Sequence, residues 1–168
     1  MAKKSSPSIP WRLLKEPAVF LALGFGSGMA PKAPGTFGTL AAIPVYGLFM
    51  GLPSLSYAAV VLALAALGVQ WCGAAAERLG VHDHPAIVWD EVVGFLIAMA
   101  LVPPSWPAVT AGFVLFRLFD ILKPWPIRWL DKHIHGGLGI MLDDVAAGVL
   151  AAVCLRLLQD AGWLSPSL

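Results

Sequence analysis

Leu138–Leu158 reads LGIMLDDVAAGVLAAVCLRLL, an apolar run interrupted by two adjacent carboxylates, Asp143 and Asp144. A helix that crosses a bilayer needs about 20 consecutive, mostly apolar residues, and this run has that length. Ionisable side chains inside such a segment are costly, so each marks a functional site by default. The run therefore predicts both a membrane helix and a site on it.

Outward from this stretch lie four more apolar runs: Thr36–Gly51, Leu55–Ala76, Ile87–Val102 and Trp106–Leu122. Leu55–Ala76 meets the spanning length comfortably and Trp106–Leu122 just does. Thr36–Gly51 and Ile87–Val102 are short, so each either spans a thinned bilayer or enters and leaves by one face. Pro44 should kink the first. The expected fold is all-α, a polytopic membrane helix bundle of four to five segments, the first of them spanning or re-entrant. Composition agrees. The 168 residues suit one domain. Only 12% are charged, against about 25% in an ordinary soluble domain. So few charges cannot coat a water-soluble protein of this size. Intrinsic disorder and a charged coiled coil are excluded, and a formal net charge of +1 offers nothing to nucleic acid. Cys72 and Cys154 both lie in apolar runs, which excludes a disulfide scaffold or zinc cluster.

The connectors set the orientation. Leu52–Ser54 and Pro103–Ser105 are short and uncharged, whereas Glu77–Ala86 and Lys123–Gly137 carry Arg78, Lys123, Arg128 and Lys132. If all five runs cross, these basic residues fall on one face with Lys3, Lys4, Arg12, Lys15 and Lys32. Arg117 lies near that face and only Arg156 near the other. The positive-inside rule makes the basic face cytoplasmic. The basic start, Ala18–Phe25 and Gly28-Met29-Ala30 mimic a signal peptide. The apolar stretch is short, however, and Glu16 and Pro17 abut it. Residues 1–23 are expected instead to form an interfacial arm anchored by Trp11, before a membrane domain over 24–158 and a tail over 159–168.

Asp90, Glu91, Arg117, Asp120, Asp143 and Asp144 all fall within a turn or two of the cytoplasmic ends. Any one alone could be a snorkelling or ion-paired end. Five carboxylates with one guanidinium leave excess negative charge, which a divalent cation would relieve. Oxygen donors without Cys or His at ligand spacing favour Mg²⁺ over zinc, with Asp90, Glu91, Asp120, Asp143 and Asp144 as candidate ligands. Adjacent residues on a helix point about 100° apart, so one of each pair is expected to bind metal while its neighbour orients a ligand or moves a proton. Asp90, Glu91, Asp143, Asp144 and His84 are the candidate catalytic groups. Arg117, Asp120 and Lys123 share a helix face, and the two cations suit phosphate.

Gly24–Thr39, GFGSGMAPKAPGTFGT, is either a turn joining arm to membrane or a phosphate-binding loop in which glycines let backbone N–H groups converge. Gly26, Ser27, Gly28, Lys32, Gly35, Thr36 and Thr39 are its candidate phosphate ligands, joined by Arg117 and Lys123. No Walker sequence is present. His82 and His84, two residues apart, are candidates to bind metal or act as general acid, or are merely solvated. Cys72 and Arg78 match the C-x5-R spacing of cysteine phosphatases, but the residues between read as a helix end, and apolar surroundings disfavour a thiolate.

Gly26–Pro44 (GSGMAPKAPGTFGTLAAIP), His82–Phe95 (HDHPAIVWDEVVGF), Phe116–Ile127 (FRLFDILKPWPI) and Gly136–Gly148 (GGLGIMLDDVAAG) together resemble the bacterial phosphatidylglycerophosphatase A family. The resemblance runs from about Gly24 to about Leu157. It implies a helical, Mg²⁺-dependent lipid phosphatase of the bacterial cytoplasmic (inner) membrane. Such an enzyme removes the terminal phosphate of phosphatidylglycerophosphate in the cytoplasmic leaflet, giving phosphatidylglycerol and orthophosphate. No residue stands out as an activated nucleophile, so direct attack by water is favoured over a phosphoenzyme. The rival readings are a phosphatase for another lipid phosphate such as phosphatidic acid, and a membrane cation carrier. A carrier would need ionisable residues lining a path to both faces. Oligomerisation is left open.

Overall fold

The computed structural model describes residues 9–81 and 84–164, all of whose regular structure is helical. Lys3, Lys4 and His82 lie outside the described residues, as do the last four residues of the tail. Seven α-helices follow in order: α1 Pro17–Ala22, α2 Pro34–Phe49, α3 Ser54–Leu79, α4 Trp89–Ala98, α5 Trp106–Leu122, α6 Ile127–His133 and α7 Gly136–Asp160. Five of them, α2, α3, α4, α5 and α7, correspond to the five apolar runs.

Local sequence explains most boundaries. Pro34 opens α2 at a position where a missing N–H costs nothing, and the helix continues through Pro44. Ser105 caps α5 by accepting from the Ala108 N–H at 3.2 Å, worth about 1 kcal/mol. Lys123 ends α5 in the left-handed region, φ 43°, and Pro124 follows.

The organising helix is α7, against which α3, α4, α5 and α6 all pack. Its inner faces are rich in small residues, among them Gly139, Ala147, Gly148, Ala151 and Ala152, which lets backbones approach closely. At Gly148 a methyl group would overlap the Gly94 carbonyl of α4. Only glycine permits that crossing.

The run Ile87–Val102 is short because it is encased. Its helix α4 spans only ten residues and is followed by one 3-10 turn over Met99–Leu101. Trp89, Val92, Val93, Gly94, Phe95, Leu96 and Ala98 are all buried, and a helix apolar on every side belongs inside protein. Fully burying Phe95, and Phe116 of α5, contributes about 1.5–3 kcal/mol each. The Tyr57 hydroxyl of α3 donates to the Leu96 carbonyl at 2.7 Å, satisfying an acceptor that the end of α4 leaves free.

Among the described residues, two helices, α3 and α7, are long and apolar enough to cross a membrane. Residues 1–23 are not wholly an interfacial arm. Val19, Ala22 and Leu23 are buried in the core, α1 packs on α3, and the Val88 N–H donates to the Ala22 carbonyl at 2.9 Å. Trp11 is exposed, with the Lys15 ammonium 4.4 Å from its ring centre. The connector Lys123–Gly137 is likewise more ordered than its polarity suggests, since it contains α6.

Candidate active site

Three helices bring carboxylates to one end of the bundle. Asp90 and Glu91 stand in the first turn of α4, Asp120 in the last turn of α5, and Asp143 and Asp144 two turns into α7. With Ala33, Pro34 and Gly35 at the start of α2, and with Pro85, Ile87, Arg117 and Lys123, they line a cavity of about 240 Å³. Among the described non-glycine residues, only Phe25, Ala33 and Lys123 have positive φ, and two of these line the cavity. Backbone strain of this kind gathers at functional sites.

The cavity holds five carboxylates against two cations. Arg117 Nη1 lies 2.6 Å from Asp120 Oδ2 and 3.7 Å from Glu91 Oε1, with all three side chains mostly buried. Lys123 Nζ donates to Asp143 Oδ2 and to Asp131 Oδ1, each at 2.6 Å. Burial alone would lower the Lys123 ammonium. The bonds to Asp131 and Asp143 outweigh it and hold the group above the ordinary lysine range, so near neutral pH Lys123 is a fixed charge rather than a proton donor.

Helix ends reinforce the pattern. Asp90 and Glu91 sit at the positive end of α4 and Lys123 at the negative end of α5, each where its charge is favoured. The start of α2 also faces the cavity, with no acidic residue in its first turn and no side-chain cap. Pro34 has no N–H, and those of Thr36 and Phe37 donate to the Ala33 carbonyl at 2.9 and 3.4 Å, so few donors remain free at this end for an anion. Gly35 belongs here for a steric reason. A methyl group on it would overlap Glu91 Oε1 and stand 3.0 and 3.1 Å from the two Arg117 Nη atoms.

Adjacent acids converge more than their helical angle suggests. One oxygen each from Asp90, Glu91 and Asp144 lie within 4.8 Å of one another, and so do one each from Asp120, Asp143 and Asp144. Asp90 Oδ1, Glu91 Oε2, Asp143 Oδ1 and Arg117 Nε are buried with no hydrogen-bond partner. Unpaired buried carboxylate oxygens are expensive, and a cation between them would supply what they lack.

The cavity thus gathers Asp90, Glu91, Asp120, Asp143, Asp144, Arg117, Lys123 and Gly35. Its lining does not include Gly26, Ser27, Gly28, Lys32, Thr36, Thr39 or His84. Gly28 packs against the Ala86 carbonyl, and Ser27 Oγ is buried without a partner. Thr39 Oγ1 donates to the Gly35 carbonyl at 2.9 Å within α2. Thr36 lies half-buried in the first turn of α2, and Lys32 is exposed. His84 is 3% exposed, and its Nδ1 accepts from the Ala86 N–H at 3.2 Å. Much of the glycine-rich segment therefore packs the helices rather than lining the cavity. Asp131 was missed by the sequence reading, because a lone acid in a polar connector carries no periodic signal. Cys72 is fully buried, 4.0 Å from Met141 Sδ, and is not in the cavity lining. The cavity at the opposite end, about 470 Å³, has Arg156 as its one charged lining residue, unlike the two-faced path of a carrier.

A family model described as phosphatidylglycerophosphatase A matches residues 20–159. Phosphatidylglycerophosphatase A of Escherichia coli strain K12 is 50% identical over 146 residues, 86% of this chain and 81% of that protein. The protein of the same name from Haemophilus influenzae is 43% identical over 148 residues, 87% of this chain and 91% of that one. A relative from Bacteroides thetaiotaomicron, provisionally named phosphatidylinositol-3-phosphatase, is 37% identical over 155 residues, 87% and 94% of the two chains. No solved structure matches.

Proposed function

Because this chain belongs to the phosphatidylglycerophosphatase A family, we propose that the acid-lined cavity is its active site. There it dephosphorylates phosphatidylglycerophosphate to phosphatidylglycerol and orthophosphate in phospholipid biosynthesis. The observation that carries this reading is the gathering of five carboxylates, Arg117, Lys123 and the start of α2 in one cavity.

Hydrolysis of a phosphate monoester needs charge neutralised on the equatorial oxygens, water aligned behind phosphorus and a proton for the leaving alkoxide. The donor set is all oxygen, and three of its buried oxygens lack partners, which fits a hard cation such as Mg²⁺. Asp90, Glu91, Asp120, Asp143 and Asp144 would hold it. When bound, the ion supplies charge neutralisation on the phosphoryl oxygens and makes water more acidic. Arg117 presents its fork, with Nε unpartnered, to the phosphate. Lys123 adds a charge that stays in place near neutral pH. Gly35 keeps the space above Glu91 and Arg117 open. A carboxylate of the Asp90–Glu91 pair takes the proton from the attacking water and returns one to the glycerol oxygen.

The same reading puts the cavity at the cytoplasmic face of the membrane, with α2, α3, α4, α5 and α7 all running between the two faces. Outward stripes of large apolar residues support it. They are Leu55 and Leu62 on α3, Val114, Leu118 and Ile121 on α5, and Val149, Val153 and Leu157 on α7. Exposed Trp11, Trp125 and Trp129 lie toward the cavity end, and Trp106 and Trp163 toward the other, the arrangement of interfacial aromatic belts. Every described Lys and Arg except Arg156 lies at the cavity end.

The test is phosphate release by the purified chain in mixed micelles from phosphatidylglycerophosphate, phosphatidic acid and a phosphatidylinositol phosphate, with Mg²⁺, Zn²⁺ or excess chelator. Release from phosphatidylglycerophosphate with Mg²⁺, loss with chelator and poor recovery with Zn²⁺ are expected. Full turnover in chelator would end the metal assignment, and preference for another lipid would move the substrate.

A further inference from the structure

The five carboxylates do not gather around one point. They divide into two sets, Asp90–Glu91–Asp144 and Asp120–Asp143–Asp144, each with its three oxygens within 4.8 Å. Two ligands on opposite sides of Mg²⁺ stand about 4.2 Å apart, from bonds of about 2.1 Å. Each set is therefore within a few tenths of an ångström of closing on one ion. The unpartnered oxygens are divided in the same way. Asp90 and Glu91, whose Oδ1 and Oε2 lack partners, belong to the first set, and Asp143, whose Oδ1 lacks one, to the second. Asp143 is 8% exposed, so that oxygen has no solvent to turn to.

Charge points the same way. Five carboxylates against Arg117 and Lys123 leave three net negative charges in the cavity. A phosphate monoester brings about 1.5 to 2 more. One divalent ion would leave the loaded site about as negative as the empty one, whereas two bring it near neutrality.

We propose that the cavity binds two divalent cations, one between Asp90, Glu91 and Asp144 and the other between Asp120, Asp143 and Asp144, with Asp144 shared. This rests on the reading of the cavity as a site for an oxygen-liganded divalent cation, and adds the number of ions and the division of ligands. Paired ions in phosphate-transferring sites stand about 3.5–4 Å apart, a separation one bridging carboxylate sets. The second position is the weaker, because Asp120 and Asp143 already pair with Arg117 and Lys123 at 2.6 Å and an ion must compete with those cations.

The experiment is Mn²⁺ titration of the full chain in detergent micelles, read by electron paramagnetic resonance, with folding checked by circular dichroism. The parent chain is expected to bind about two ions, the second more weakly, with the spectrum of an exchange-coupled pair. Asp120→Asn and, separately, Asp143→Asn should each leave about one ion with an uncoupled spectrum and the tighter affinity intact. Asp144→Asn should weaken both positions. One uncoupled ion in the parent would overturn the paired site and keep the divalent-cation reading. Absence of binding would overturn both. Two uncoupled ions, indifferent to Asp144→Asn, would overturn the shared ligand.

Discussion

Gly35→Ala separates the chemistry of the cavity from the stability of the bundle. The added methyl overlaps Glu91 Oε1 and comes within 3.0 Å of Arg117 Nη1. Both neighbours are ends of flexible side chains, so the backbone need not move. Overpacking costs about 1–3 kcal/mol, offset by up to about 1 kcal/mol from replacing a helical glycine. Net destabilisation should stay below about 2 kcal/mol. Turnover has no such tolerance on the proposed reading, in which the displaced groups are a cation ligand and the phosphate fork. Misplacement by about 1 Å costs on the order of 10²-fold, or about 2.7 kcal/mol in the barrier. The assay is phosphate release in mixed micelles beside thermal unfolding followed by circular dichroism, with Gly47→Ala as control. Gly47 lies in the same helix with nothing within 4 Å of an added methyl, so that variant should be slightly stabilised and fully active. A folded Gly35→Ala chain that turns over like the parent would refute the reasoning, and so would equal losses in the two variants.

Asp90→Asn and Asp144→Asn should each cut turnover by at least about 10²-fold while stability without added cation holds or rises, because neutral isosteres relieve carboxylate repulsion. If the cluster were only an ion-pair network, stability would fall first and activity would follow the folded fraction. Cys72→Ser and Cys154→Ser should keep parental turnover, and alkylation should not inhibit, since Cys72 is buried outside the cavity lining. Inhibition of a folded parent chain that Cys72→Ser abolishes would revive a thiol mechanism. For sidedness, Lys132→Cys on α6 should react in intact cells only with a membrane-permeant reagent, and Gly51→Cys beyond α2 with an impermeant one. The opposite pattern would invert the topology.

Helices were legible in the sequence because apolar run length carries their signal. Trp106–Leu122 coincides with α5, and Leu138–Leu158 lies inside α7. Convergence of the acids was legible because each falls near a charged connector, and connectors of one type share an end of the bundle. What escaped depends on contacts between distant segments. Nothing near Gly35 announces that Glu91 lies beneath it, and nothing near Asp131 announces Lys123. The burial of Val19, Ala22 and Leu23 follows from α1 docking on α3. The glycine-rich segment misled for the opposite reason, since its composition suits phosphate binding and close packing equally. Gly28, set against the Ala86 carbonyl, serves the packing.

The position of α7 in the chain has a consequence for synthesis. Three of the five cavity carboxylates, Asp90, Glu91 and Asp120, are translated before α7 begins at Gly136. Until then the encased helix α4 has no partner for the face that meets α7, and its two acids stand without the third carboxylate of their set. A nascent chain stopped before Gly136 holds a broken site and an uncovered core. Helix α7 supplies Asp144, the carboxylate common to both oxygen sets, together with the surface that α3, α4, α5 and α6 pack against. The proposed site and the closed bundle therefore form together once α7 has been made, and on that reading a chain stopped before it would be inactive.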